Sequence, residues 1–270
     1  MKKVVRMLGL CALVALAFTA CKKNNTQKVS FTATMPQTTT VDRTHAQGFD
    51  LVWDDNNTIT VVNEAGEDMD FTLVSATDKV ATFTAEGDAA TFMQDIETAD
   101  YTAFYPAVVD DNGVRLTIPA EQTYVPAMNF ANDIYPMVGF NLGANFYFQS
   151  NAGFLNVSFR APEGTTRQID KVVLIANEAI AGDMVYAKDG MSYTFEGTGN
   201  TITMTCDGKQ TCYPDLARDF TFVLPEGVLA NGFTVQVFDG EDLIGNFSTL
   251  DPQNVIVAQQ FRTMYSRVLD

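Results

Sequence analysis

The chain predicts an all-β protein built as two antiparallel β-sandwich domains, on three observations. From Val29 onward apolar residues alternate with polar ones at period two, dipeptides suited to tight turns separate the alternating runs, and the opening strand phrase recurs near mid-chain. Alternation at period two puts successive side chains on opposite faces of a strand, so one face is buried while the other meets water. Many short strands with regular turn signals favour stacked antiparallel sheets over any helical layering.

Residues 1–20 stand apart from that pattern. Lys2, Lys3 and Arg6 make a positive head, and the eleven residues from Leu8 to Phe18 form an uncharged apolar run. That run is too short to cross a bilayer and reads as a secretory signal peptide. Leu16-Ala17-Phe18-Thr19-Ala20-Cys21 resembles a bacterial lipobox, with Phe18 where a small residue or leucine is usual. The resemblance implies cleavage before Cys21 and acyl chains on its sulfur, each buried CH₂ contributing about 0.8 kcal/mol to membrane attachment. The other reading is ordinary secretion with an incidental cysteine. Residues 21–28 are polar and read as a flexible lipidated tether.

Strands are expected around Val29, Phe31 and Ala33, then Phe49, Leu51 and Trp53, then Ile59 and Val61, Phe71 and Leu73, and Ala81 and Phe83. Between them fall Asn56-Asn57, Ala65-Gly66, Asn112-Gly113, Asp189-Gly190, Asn231-Gly232 and Asp239-Gly240, which tolerate positive φ and favour hairpins. Only residues 89–99 read as helix, with Phe92, Met93 and Ile96 spaced for one face. Val29-Ser30-Phe31-Thr32-Ala33 is echoed by Val157-Ser158-Phe159-Arg160-Ala161, which places a domain boundary near residue 150 and gives domains of 29–150 and 151–270. The second half continues through Val172–Ile175, Tyr193–Phe195, Ile202–Met204, Phe220–Leu224 and Phe233–Phe238.

Composition bounds the chemistry. The formal charge of −16 becomes more negative once the leader's three cations are lost. Such a chain repels phosphate backbones and anionic lipid, so no nucleic acid partner is expected and the acyl chains must hold it to a membrane. The single histidine, His45, sits in a polar stretch, which leaves no Ser-His-Asp or Cys-His arrangement to defend, no metal site and no enzyme. The acidic pairs Asp54-Asp55, Glu67-Asp68, Asp110-Asp111 and Glu241-Asp242 lie beside turn signals and read as solvated hairpin ends. With Cys11 in the leader and Cys21 lipidated, Cys206 and Cys212 remain. Asp207-Gly208 between them signals a turn, so they are expected either to face each other across a hairpin as a disulfide worth about 2 kcal/mol or to stay as two free thiols. Trp53 is expected in the core. Tyr101, Phe104, Tyr105 and Phe146-Tyr147-Phe148 are either core or a surface platform on which sugars stack.

Several phrases in order resemble the fimbrillin-like lipoproteins of Bacteroidetes, the subunits of type V pili: Trp53-Asp54-Asp55-Asn56-Asn57-Thr58-Ile59-Thr60-Val61, Ala81-Thr82-Phe83-Thr84, Tyr101 to Pro106, Leu116 to Gln122, Pro136-Met137-Val138-Gly139 and Phe146 to Phe159. The family usually has Gly-Asp where this chain has Asn56-Asn57, and its far C-terminal end matches only loosely. The resemblance implies two transthyretin-like sandwiches, an outer-membrane lipoprotein on its way to a fimbrium, and partners that are other pilus subunits joined by β-strand exchange. It also implies cleavage after an arginine beyond the first strand. Arg43 is the only arginine between Arg6 and Arg115 and takes that role, the alternative being an ordinary exposed arginine in a loop. The donor strand would be Asn254 to Val257 through Phe261, Met264, Tyr265 and Val268. Its rival is that this stretch is the last strand of its own domain, which would suit a terminal subunit that accepts a strand without donating one. A further alternative function is a surface lipoprotein that captures glycans through exposed aromatic residues.

Overall fold

The computed structural model describes residues 29–36, 39–40, 53, 57–77, 79–85, 88–126 and 134–270; the leader, Cys21, the tether, Arg43, Phe49 and Leu51 lie outside the described residues. In chain order come β1 (Val29–Thr34), β2 (Thr39–Thr40), β3 (Thr58–Val62), β4 (Asp68–Thr77) and β5 (Val80–Ala85), then a short helix α1 (Ala89–Phe92). β6 (Thr102–Tyr105), β7 (Val108–Asp110), β8 (Gly113–Ile118), β9 (Glu121–Tyr124), β10 (Met137–Leu142) and β11 (Asn145–Gln149) complete the first half. The second half adds β12 (Ala152–Arg160), β13 (Arg167–Ala176), β14 (Ala181–Tyr186), β15 (Tyr193–Gly199) and β16 (Thr201–Cys212). It ends with β17 (Arg218–Pro225), β18 (Phe233–Asp239), β19 (Asp242–Thr249), β20 (Gln260–Thr263) and β21 (Arg267–Val268).

The all-β expectation holds, but the first half is not an open sandwich. Its strands close as a barrel in the order β1-β11-β10-β6-β3-β4-β5. β1 makes the closure, because it pairs antiparallel with β5 over six residues and parallel with β11 over three. Closure removes the free edges an open sheet would expose. Two further sheets, β17-β12-β20-β2 and β19-β18-β13-β16-β9, each take one strand from the first half and meet through Phe159, whose ring lies 5.9 Å from both Phe220 and Phe247.

The barrel includes β11, and β12 belongs to another sheet. Residues 108–124 nevertheless leave the barrel: β8 pairs with β14, and β9 runs parallel to β16. Local alternation marks these residues as strands but carries no information about which sheet they join. The sequence echo has a topological counterpart. β1 and β12, the first strands of the two halves, each have an antiparallel neighbour on one side and parallel pairing on the other: β11 beside β1, and β20 with β21 beside β12.

The helix expected over residues 89–99 shrinks to Ala89–Phe92. Beyond it the chain turns through Ile96 N–H to Met93 C=O (3.2 Å) and Ala99 N–H to Asp95 C=O (2.7 Å). Thr91, Asp95 and Thr98 are poor helix formers whose side chains compete for backbone groups. The spacing still delivered its face, since Met93 is buried and Phe92 and Ile96 pack on the core. Trp53 is in the core as expected, edge-on to Phe83, Tyr105 and Phe148 at 5.0–5.6 Å. Turn glycines Gly66, Gly190 and Gly240 have φ of 78°, 69° and 63°, which accounts for glycine at those positions. Asp110 closes the β7–β8 turn and accepts from Arg115 Nε at 2.8 Å, a contact that holds its carboxyl below the usual range.

Candidate functional site

The site that the first strand occupies is built from the barrel interior outward. Alternation along β1 sends Phe31 and Ala33 inward, and Met35 just beyond it; all three are at most 3% exposed. Phe31 lies 4.8 Å from Phe71, 4.7 Å from Phe146 and 6.1 Å from Phe83. β1 is therefore a stave seated in an aromatic trough whose two banks, β5 and β11, belong to other parts of the chain. Burying Phe31 and Met35 contributes about 1.5–3 kcal/mol each before ordering costs. Without β1, the facing backbone groups of β5 and β11 would be unpaired, which is a template for another extended segment.

The chain then crosses to the other half. Thr39 and Thr40 pair parallel with Gln260 and Phe261, so β1 and β2 bind two different sheets only four residues apart. Sequence reading did not anticipate this crossing, because two threonines carry no periodicity. The C-terminal stretch is part of its own half: β20 and β21 run parallel to β12, Phe261 stacks on Phe154 at 4.2 Å, and Leu269 is 2% exposed.

Cys206 and Cys212 are free thiols, both on β16. The Asp207-Gly208 turn signal is spent on a bulge: residues 206–209 of β16 stand opposite Asp170 alone, while Thr205 pairs with Lys171 and Cys212 with Arg167. Burial pushes the Cys206 thiol up to about 12 and Cys212 to about 11. At pH 8 a thiol of pKa 11 is roughly 100-fold less ionised than one of pKa 9. Iodoacetamide at pH 8 is therefore expected to label the folded chain about 100-fold more slowly than the urea-unfolded chain, as followed by mass. Equal rates would mean that the thiols are open to solvent. Because both values are raised, the neutral thiols' contribution to stability is present below pH 9 and is lost as pH rises through 11–12.

The proposed sugar platform does not form. Tyr101, Phe104, Tyr105, Phe146 and Phe148 are all buried, and of that group only Tyr147 is exposed, at 52%. Alternation along β11 explains the split: residues 146 and 148 face the barrel interior and 147 faces out. Among the described residues no cluster of three or more His, Cys, Asp or Glu side chains could hold a metal. Sequence reading also missed Gln122. It is 1% exposed on β9, donates from Nε2 to Val223 C=O at 2.9 Å and accepts the Val223 N–H at 3.1 Å. The signal was present in the inward positions of Gln122 and Tyr124 on β9.

This architecture is known. A protein of Bacteroides ovatus described as a “putative cell adhesion protein” superposes with a TM-score of 0.55 and 11% identity, over 90% of this chain and 95% of its own. One from Bacteroides uniformis with the same description gives 0.54 and 16%, over 89% and 93%. The fold is shared with Bacteroides adhesion candidates. At these identities the likeness is one of fold. No protein-family model matches the sequence, and no curated protein matches it.

Proposed function

We propose that this chain is a fimbrillin-like outer-membrane lipoprotein, anchored through acyl chains on Cys21, that serves as a subunit of a type V pilus and supports cell adhesion. In this reading a surface protease cuts after Arg43, β1 leaves its trough, and an extended segment of another subunit takes its place. The observation that carries it is the seat of β1: a six-residue stave with Phe31, Ala33 and Met35 buried between strands it is not otherwise part of. The shared fold supports the same reading, since the two Bacteroides proteins are each described as a “putative cell adhesion protein”. Pairing of β20 and β21 with β12 favours a subunit that accepts a strand and keeps its own C-terminal stretch, as a tip or anchor subunit would. The role is structural rather than enzymatic.

The test is limited digestion of the unlipidated protein with an arginine-specific protease under native conditions, read by the new N-terminus and an unboiled SDS gel. A cut after Arg43 with release of residues 29–43 is expected. Adding a synthetic peptide spanning residues 29–36 should then restore the melting temperature of the uncut chain. Resistance at Arg43, or retention of the cut segment through gel filtration, would reject strand exchange in this chain. A ladder of detergent-resistant multimers would assign a stalk role, because the C-terminal stretch would then be donated.

A further inference from the structure

The fold treats its arginines unevenly. Of Arg115, Arg160, Arg167, Arg218, Arg262 and Arg267, only Arg267 is exposed. An endopeptidase grips its substrate as an extended segment, so the backbone on both sides of the cut must be free to leave its other partners. Arg115 sits mid-strand in β8, between β7 and β14, with its guanidinium held by Asp110, Asp183 and Glu196 at 2.8–3.5 Å. Arg262 lies on β20, between β12 and β2. Arg167 and Arg218 open β13 and β17, and donate from Nε to Asp270 C=O at 2.6 Å and to Thr211 C=O at 2.9 Å. Arg160 closes β12 and runs into buried Ala161. Arg267 differs in each respect. It belongs to four consecutive exposed residues, Tyr265 to Val268, of which Tyr265 is 76% and Val268 58% exposed. Residues 264–266 lie in no strand, and the two-residue β21 pairs with β12 alone among the described strands.

We infer that the Arg267–Val268 peptide bond is a processing site for an arginine-specific endopeptidase, latched by Leu269. Hydrolysis adds water across that bond and leaves a carboxylate on Arg267 and an amine on Val268. The latch lies just beyond the bond. Leu269 is 2% exposed, and its Cδ2 fills the space that a side chain at Gly245 would take. Leu269 N–H donates to Arg160 C=O and Asp270 N–H to Ile244 C=O, both at 2.9 Å, which ties β12 to β19 across the two sheets. The segment around Arg267 therefore enters a protease cleft once Leu269 withdraws, a local opening rather than unfolding of the whole chain. Cutting separates Val268, Leu269 and Asp270 from Arg267. Phe159 and Arg160 then lose their parallel partner, Arg167 loses the carbonyl held by its Nε, and a covered edge of β12 becomes an unpaired one. β20 stays in place, because Phe261 stacks on Phe154 and pairs with Thr40. Neither step requires a cut at Arg43.

The test digests the unlipidated Arg43→Gln chain with clostripain under native conditions and follows intact mass, so that Arg267 is read apart from Arg43. Loss of Val-Leu-Asp is expected about tenfold or more faster than any cut at Arg115, Arg160, Arg167, Arg218 or Arg262, and with little dependence on added urea, because a local opening gates it. Arg267→Gln should stop that loss. Leu269→Ala, which weakens the latch, should hasten it by about tenfold or more while the other arginines stay uncut. A chain that keeps Val268, Leu269 and Asp270 until it is cut throughout overturns the proposal, as does a Leu269→Ala rate equal to the parent's. Cutting at Arg43 in the parent chain alongside resistance at Arg267 overturns this site alone and leaves the strand-exchange reading in place.

Discussion

Phe31→Ala is expected to destabilise the protein by about 3–5 kcal/mol, the range for removing a buried phenylalanine from a packed core. The ring is 3% exposed and touches Phe71, Phe83 and Phe146. Three aromatic neighbours on three strands cannot collapse together into the space it leaves without shifting the barrel. Ser30→Ala, one residue away on the outward face, should stay within about 0.5 kcal/mol. Urea unfolding of both variants checks the contrast. Hydrogen exchange on Phe31→Ala should also show the amides of residues 29–34 losing protection before the rest of the barrel, because that strand is held mainly by this side chain. If the two substitutions cost the same, the aromatic seat of β1 is not what closes the barrel, and the strand-exchange reading loses its physical basis.

Strand existence was legible in the sequence because it is local. The alternations at Ile59 and Val61, at Val172 to Ile175 and at Phe220 to Leu224 each lie inside an observed strand, and Ala65-Gly66 and Asp189-Gly190 fall at turns. Pairing was not legible. Nothing in Val108–Tyr124 says that its strands leave the barrel for β14 and β16, because partner choice depends on residues 60–100 positions away. The cysteine pair stayed open between two readings for a related reason. Asp207-Gly208 is a sound turn signal, and Gly208 does adopt φ of 83°, but a turn within a continuing strand and a turn that reverses the chain share the same local chemistry. The aromatic run at 146–148 was ambiguous between core and surface until the pleat assigned 146 and 148 to one side and 147 to the other. For the candidate site, the first strand and its inward residues were readable, whereas the crossing of β2 to Gln260 and Phe261 was not.

Gln122→Leu should cost about 2–5 kcal/mol, although leucine fills a similar volume and is more apolar. β17 is an outer strand of its sheet, and at Val223 its N–H and C=O are paired with the Gln122 side chain, which stands where a neighbouring strand's peptide would. Val223 is 0% exposed, so no water can replace the lost partner, and each buried unpaired group costs about 1–3 kcal/mol. Gln122→Glu separates this cause from packing. A protonated glutamic acid accepts from the N–H and donates to the C=O much as glutamine does, while the carboxylate faces the C=O with no proton to give. Burial and that repulsion raise the folded-state pKa of the introduced acid above its unfolded value of about 4.3. The variant's stability should therefore be nearest the parent's below about pH 4 and should fall as pH rises through the raised value, whereas the leucine variant's deficit relative to the parent should not change with pH across that window. Unfolding midpoints in urea at pH 4 and pH 7 read the difference. A glutamate variant with the same deficit at both pH values would mean that packing alone holds β9 against β17, and that the side-chain amide does not stand in for a strand.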